Sequence, residues 1–513
     1  MTNAASRHRI AYLTPLSPVG SGISYYSEDL LPTLARSLDL SVFVDGYTPT
    51  LASPLRAAGV ALRQGREFAR ALRATPFDAI IYQLGNSPAH AYMYDWALRE
   101  PGIAVLHDAM LHHLRLWMAI NGGRARRREY ADELREIYGA AGEALAREVL
   151  RGKTPATLFD YPLIEPILDR AKAVIVHNVA SAERIRALRP GSAVRVIPMG
   201  VPLPTLSPRK EARGRLGIAP EAFVVLSLGH ANPYKRLDVA LRAFRRLTAE
   251  RSDALFVIAG SEAPELGATL GRQIGYLGLG ARVRRLGFVA PETVDDLLAA
   301  ADCCVNLRYP SAGETSASLL RIMGAGLPVL VSDAGSFREL PAGSAMVVPV
   351  GPIEEPLLAE YLIALARDGS LRAGLGQTAR EFVASEHSLE RSALGYLDTL
   401  GAVTGRTIAL PAAVDVAAYD TGRAGAAQTP GGVAPAIARN HPVSPGVPPG
   451  GTLEADPVLD AVAEALTDLR LAGHEPTVCS VARDLVGLGL TSEPRQTRRS
   501  GGWRACLRRA GRR

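Results

Sequence analysis

Cysteine is scarce in this chain, with only Cys303, Cys304, Cys479 and Cys506 among 513 residues. None stands in a CxxC pair, and Cys303 and Cys304 lie inside an apolar run that reads as a buried strand. That spacing excludes a zinc ribbon and a disulfide scaffold and favours a reducing compartment. No apolar run reaches the ~18 residues a membrane span needs, and the opening MTNAASRHRIAYLTP has no signal core. The expected location is cytoplasmic, or peripheral at the inner membrane face if something tethers the chain. No DxD triplet occurs, which argues against a carboxylate-held Mg²⁺ or Mn²⁺ on a diphosphate. Lysine is rare as well: Lys153, Lys172, Lys210 and Lys235 are the only four among 58 basic residues.

Apolar residues make up 47% and charged residues 21%, as in ordinary soluble domains, so the chain can build cores without staples. Residues 491–513 hold eight arginines and one glutamate, which accounts for the whole formal net charge of +7. The rest of the chain is balanced, so the charge does not indicate a specific nucleic-acid partner. The basic tail, with Trp503 and Leu507 among its arginines, suits an anionic membrane surface.

Short apolar runs alternate with amphipathic stretches over most of the length. Strands are expected at 9–13, 41–44, 78–82, 103–106, 173–176 and 194–197. After the turn-rich stretch 198–208 they resume at 224–228, 255–259, 283–288, 303–307 and 329–331. Helices are expected at 25–38, 133–150, 236–250, 291–300 and 315–324. Near-continuous apolar strands separated by helices mean parallel sheet buried on both faces. The fold class is therefore α/β, with two Rossmann-like doubly wound domains facing a cleft. Expected boundaries are 1–200 for the first domain, 201–385 for the second and 386–410 for a returning helix. A Pro/Gly/Ala-rich disordered linker at 411–455, a helical hairpin at 456–490 and the basic tail at 491–513 complete the chain.

Three stretches carry candidate chemistry. The first strand runs into a loop with Gly20 and Gly22 just before a helix, where free N–H groups can meet an anion. Tyr25 replaces the third glycine of a dinucleotide fingerprint, and the glycines could equally serve a turn that needs positive φ. In the second block Gly229, His230, Lys235 and Arg236 follow a strand and precede a helix. Cations there oppose the helix dipole unless an anion binds, although both long side chains could simply face water. Glu314, Thr315 and Ser316 follow another strand, where a carboxylate and two hydroxyls suit a polyol or, alternatively, cap the next helix. His107 and Asp108 end a first-block strand, and His112 and His113 follow without the paired acid of a metal site.

Together these stretches resemble the family-4 glycosyltransferases of the GT-B fold over residues 8–400. The resemblance rests on GSGIS, LHD at His107, VIPMGV, SLGHANPYKRLD and GETSASLLRIMGAGLPVLVSDAGSFRELP, in that order. It implies transfer of a sugar from a nucleotide diphosphate sugar to an acceptor that the residues do not identify, with retention and without metal or cofactor. The first domain would take the acceptor side and the second the donor. By this likeness Lys235 contacts the donor diphosphate, Gly20 and Gly22 border the phosphates, and His107 faces the transferred sugar. Glu314, Thr315 and Ser316 lie over that sugar, so His107, Lys235 and Glu314 form the expected catalytic set. Gly229, His230, Arg236 and Arg321 complete the expected donor site. Two positions depart from the family: His230 stands where arginine is usual, and Arg321 stands about where the family has a second, ribose-binding glutamate. A nucleotide-sugar epimerase or hydrolase of the same fold, or a non-catalytic sugar-nucleotide-binding protein, are the alternatives. Lys235 is expected to be exposed, so that its removal would barely move the melting temperature.

Overall fold

The computed structural model describes residues 7–153 and 156–411. Most of the expected linker and all of the C-terminal hairpin and basic tail, with Cys479 and Cys506, lie outside the described residues. The chain divides into two compact units. The first holds residues up to Pro202, the short stretch Pro310–Ala317 and the segment from Glu386; the second holds Leu203–Tyr309 and Ser318–Ser385. The stretch 310–317 therefore packs with the first unit, although both neighbouring segments of chain belong to the second.

The first unit is built on seven parallel strands: β1 (His8–Leu13), β2 (Leu38–Val44), β3 (Ala61–Gln64), β4 (Ala79–Leu84), β5 (Ile103–Leu106), β6 (Ala173–Val176) and β7 (Val194–Val196). Their order is β3-β2-β1-β4-β5-β6-β7. The second unit has six: β8 (Val224–Leu228), β9 (Leu255–Ala259), β10 (Val283–Gly287), β11 (Cys303–Val305), β12 (Val329–Ser332) and β13 (Met346–Val348), ordered β10-β9-β8-β11-β12-β13. Each sheet grows outward from its first strand and then reverses, between β1 and β4 and between β8 and β11. Such a reversal leaves a crevice at the carboxyl ends of the strands, where doubly wound sheets bind ligands. The two Rossmann-like sheets are as the apolar runs implied.

Helix packing follows from residue spacing. In the helix Leu237–Glu250, Leu237, Ala240, Leu241, Phe244 and Leu247 recur on one face and are buried, with Phe244 tilted against Phe256 of β9 at 5.3 Å. Strands β8 and β9 are buried throughout, including Ser227, as sheets covered on both faces must be. Cys303 and Cys304 are fully buried in β11, and burial pushes both thiols well above their ordinary range.

Several boundaries differ from the sequence reading. Strands β3 and β13 were not expected, because one is a short, half-exposed edge and the other only three residues long. The first helix spans Gly22–Leu34, so Gly22 opens it while Gly20 stands just before the capping Ser21. The long helix begins at Gly123 and breaks at Gly139, where φ is 62°. The helix expected from Thr315 starts at Ala317, leaving Glu314, Thr315 and Ser316 in extended chain before it.

Candidate active site

Within the first unit, the carboxyl ends of β1, β4, β5 and β6 gather the chemistry. After β1, Ser21 caps the helix Gly22–Leu34, its Oγ accepting from Ser24 N at 3.0 Å. The buried Glu28 accepts from Ser17 N at 2.6 Å and Ser17 Oγ at 3.0 Å, which pins the loop. Neither Gly20 nor Gly22 has positive φ, so a strained turn does not explain them. A Cβ at either would meet nothing within 4 Å, so the loop keeps an open approach to the helix N-terminus.

His107 directly follows β5 and is buried. Its Nε2 lies 2.6 Å from Gln83 Oε1, while Gln83 Nε2 donates to Tyr12 Oη at 2.8 Å and to Tyr396 Oη at 3.1 Å. Its Nδ1 is buried and has no hydrogen-bond partner among the described residues. Tyr26 packs edge-on against His107 at 5.3 Å and against His177 at 5.2 Å, and the two histidine rings lie 4.8 Å apart. Burial, followed by the neighbouring His177 and His90, holds His107 well below the ordinary histidine pKa. Burial likewise brings His90 and His177 down to about 4, each partly offset by a backbone carbonyl on Nδ1. All three rings are neutral at pH 7, and each presents one buried ring nitrogen with no partner among the described residues.

Two further residues organise this edge without having been singled out in the sequence. Asn86 donates its backbone N–H to Asp108 Oδ2 at 2.7 Å, holds His113 Nδ1 through Nδ2 at 2.8 Å and accepts from Leu114 N at 3.1 Å. Asn178, which follows β6, donates to Thr315 Oγ1 and to Gly313 O, both at 2.9 Å. Asn86 stands in the turn stretch 85–88 and Asn178 directly follows an apolar strand, so neither carries a spacing signal and only the fold reveals them. His112 is engaged by Tyr161 O and Tyr130 Oη, both at 2.5 Å. Among the described residues no group of three metal-ligating side chains comes together.

The stretch 310–317 is held at the same edge. Ser181 Oγ donates to Gly313 O at 2.5 Å, and Ala109 N donates to Ala312 O at 2.8 Å. Gly313 has φ of 80°, and a Cβ there would stand 2.7 Å from Ala109 Cβ, so both backbone and packing demand glycine. Glu314 is buried, its Oε2 accepting from Ala312 N at 2.6 Å and Ser311 Oγ at 2.7 Å. Thr315 and Ser316 are buried too. Glu314 therefore shapes its own loop, and none of the three sits in a helical turn.

In the second unit, β8 ends at Gly229, whose φ of 96° turns the chain. Asn232 Oδ1 accepts from Lys235 N at 3.2 Å and so caps the short 3-10 turn Pro233–Lys235. Lys235 is 2% exposed, so the expectation of an exposed residue is corrected. Its four-carbon stem folds back under the turn, and Nζ donates to Leu228 O and, at 3.3 Å, to Gly229 O. A Cβ on Gly229 would lie 3.3 Å from that Nζ and 3.5 Å from Ser318 Oγ, so lysine, glycine and the start of the helix Ala317–Gly324 meet closely. His230 is half-buried, with Nδ1 3.0 Å from Ser261 Oγ. Burial and then the Lys235 charge lower its pKa, with Arg308 adding a smaller push. Arg308, buried beyond β11 with its N–H on Ser332 Oγ at 2.9 Å, is a second cation at this edge that sequence reasoning passed over.

Two expected donor residues have other work. Arg236 is half-buried and forms a two-point ion pair with the buried Glu354, its Nε 2.6 Å from Oε1. Its φ of 49° starts the helix Leu237–Glu250. Arg321 donates to Asp295 Oδ1 at 2.8 Å, on the helix Pro291–Ala300. Both guanidiniums tie helices together.

Known proteins resemble this chain in sequence and in fold. Residues 208–382, which include β8, Lys235 and Arg321, match the family described as glycosyl transferases group 1. The chain is 26% identical to the D-inositol 3-phosphate glycosyltransferase of Thermobispora bispora, over 65% of this chain and 82% of that protein. The enzyme of the same name from Kribbella flavida is 26% identical over 72% of this chain and 89% of its own. Among solved structures, Anabaena HepE in complex with UDP and glucose aligns with a TM-score of 0.56 at 18% identity, covering 77% of this chain and 100% of that one. Sucrose-phosphate synthase from Thermosynechococcus elongatus aligns with a TM-score of 0.55 at 16% identity, covering 78% and 100%. Both structural likenesses are likenesses of fold. The chain is a glycosyltransferase with the GT-B fold, and its residues 208–382 match the group 1 glycosyl transferases.

Proposed function

We propose that this glycosyltransferase moves a sugar from a nucleotide diphosphate sugar to an alcohol acceptor, with retention and without a metal, as the family-4 enzymes it resembles do. The observation that carries the reading is the buried Lys235 ammonium at the glycine-lined carboxyl end of β8, inside the matched domain. Departure of a nucleoside diphosphate builds negative charge. A cation already held in a low-dielectric site stabilises that charge without reorganising. The open N-terminus after Gly20 and Gly22 supplies further N–H groups for phosphate. The neutral His107 suits contact with the hydroxyls of the transferred sugar.

The relatives from Thermobispora and Kribbella are named for D-inositol 3-phosphate, and HepE was solved with UDP-glucose. A cyclic polyol acceptor and a UDP-sugar are accordingly the first pair to try. UDP-, GDP- and ADP-sugars are screened by thermal shift, and the stabilising donor is then assayed for turnover with excess EDTA. Stabilisation followed by acceptor-dependent, EDTA-resistant transfer with retained anomeric configuration is expected. Activity that chelation abolishes and Mn²⁺ or Mg²⁺ restores would sink the metal-free reading, and donor consumed without acceptor would favour a hydrolase. The eight arginines of residues 491–513 make an anionic lipid surface the proposed partner of the tail. Equal flotation on anionic vesicles with and without the tail would reject that partner.

A further inference from the structure

Gln83 is fully buried in β4 and holds two histidines at once. Its backbone carbonyl takes His90 Nδ1 at 2.8 Å, and its side-chain carbonyl takes His107 Nε2 at 2.6 Å. The amide can do this in one orientation only while its nitrogen serves Tyr12 and Tyr396 as donor. Tyr396, on the helix Leu389–Thr404, is itself held by Tyr26 Oη at 3.2 Å, and Tyr26 also reaches Ser392 Oγ at 3.2 Å. Tyr26 then closes against the face of His107. The ring is thus fixed in plane by Tyr26 and in protonation by Gln83.

We infer that Gln83 is a positioning residue for sugar transfer: its amide holds His107 as the Nε2–H tautomer and so keeps Nδ1 as a hydrogen-bond acceptor for a hydroxyl of the transferred sugar. The inference rests on the reading that His107 faces that sugar. A neutral imidazole offers one donor and one acceptor, and the partner on one nitrogen decides the role of the other. A buried acceptor left unmatched is costly, and a sugar hydroxyl offsets that cost by donating to it. With the opposite tautomer the ring would present its N–H at Nδ1 and would orient the hydroxyl the other way. The returning helix, through Tyr396, thereby takes part in setting the tautomer of the histidine that follows β5.

The test uses the full-length protein with isotope-labelled histidine, reading ring-nitrogen shifts by NMR alongside steady-state kinetics. In the wild type His107 should carry its proton on Nε2. In Gln83→Met it should become a mixture of tautomers, and kcat should fall roughly 10–100-fold, the range for losing a partner that orients a histidine. His90 should keep its Nδ1 proton, because its partner is the backbone. Tyr396→Phe, a gentler change should Gln83→Met fold poorly, should shift His107 the same way and cost less. A wild-type His107 protonated on Nδ1, or a Gln83→Met enzyme with unchanged tautomer and kcat, overturns the inference. His107→Ala separates the two claims: if it keeps full activity the reading of His107 falls. If it is inactive while Gln83→Met is unimpaired, only the role of Gln83 falls.

Discussion

The two sheets present carboxyl edges of the same topology and different electrical character. In the first unit the edge is lined by histidines that burial keeps neutral, by amides and by hydroxyls. In the second, the equivalent reversal between β8 and β11 holds Lys235 and Arg308, both nearly inaccessible, and burial first and then their charges lower the pKa of His230. A doubly wound sheet supplies the crevice in either case. On the proposed reading, the neutral histidines of the first edge would meet hydroxyls of the sugar, and the buried cation of the second would meet the diphosphate. The difference between the two edges lies in a handful of residues.

The sharpest way to break that comparison is to remove the cation. Lys235→Ala should lower kcat/KM by about 10²-fold or more, the scale of deleting one group that stabilises developing charge. Lys235→Arg should restore only part, since a planar guanidinium places its charge elsewhere and will not fit the carbonyls of Leu228 and Gly229. Because Lys235 is buried, its loss should also lower the melting temperature. Full activity in the alanine variant would remove the anion-binding role of the second edge.

Acidification should sharpen the comparison from the other side. His90 and His177 bind protons near pH 6.5 when unfolded but only near pH 4 when folded, because burial disfavours the charged ring. Between those values the unfolded chain holds more protons, so stability falls as pH drops from 6.5 toward 4 and is unaffected above 6.5. The loss is on the order of a few kcal/mol, since a tenfold change in proton affinity is worth about 1.4 kcal/mol. Melting curves across that range, repeated with His177→Gln, should show the acid loss shrink in the variant. An identical pH slope in both would exclude this histidine as its source.

The smallest expected effect comes from Gly313→Ala, which tests the attachment of 310–317 to the first edge. Positive φ and the close Ala109 Cβ should together cost roughly 1–3 kcal/mol in chemical denaturation. Ala109→Gly should recover part of that loss by removing the contact. A neutral Gly313→Ala would mean the loop is held less tightly than its hydrogen bonds to Asn178 and Ser181 imply.

Much of this was legible in the residues. Runs such as Leu255–Ala259 and Ile103–Leu106 are apolar throughout because both faces of a parallel sheet are covered, and that pattern survives without knowledge of neighbours. Glycines flanking Ser21 and the turn after Gly229 announced loops at helix starts, where backbone N–H groups are unsatisfied. Local order therefore determined eleven of the thirteen strands among the described residues, the approximate place of several helices and the position of Lys235 along the chain. What the linear order did not determine was burial and partnership. Lys235 and Arg236 are adjacent, yet one folds under a turn against two carbonyls while the other pairs with Glu354, more than a hundred residues away. Gln83 reads as one polar residue in an apolar strand until Tyr12, His107 and Tyr396 converge on it. Glu314, Thr315 and Ser316 sit in sequence among the elements of the second unit and pack with the first. Hydrogen bonds and ion pairs between distant segments depend on angstrom-scale approach, which only the folded chain decides.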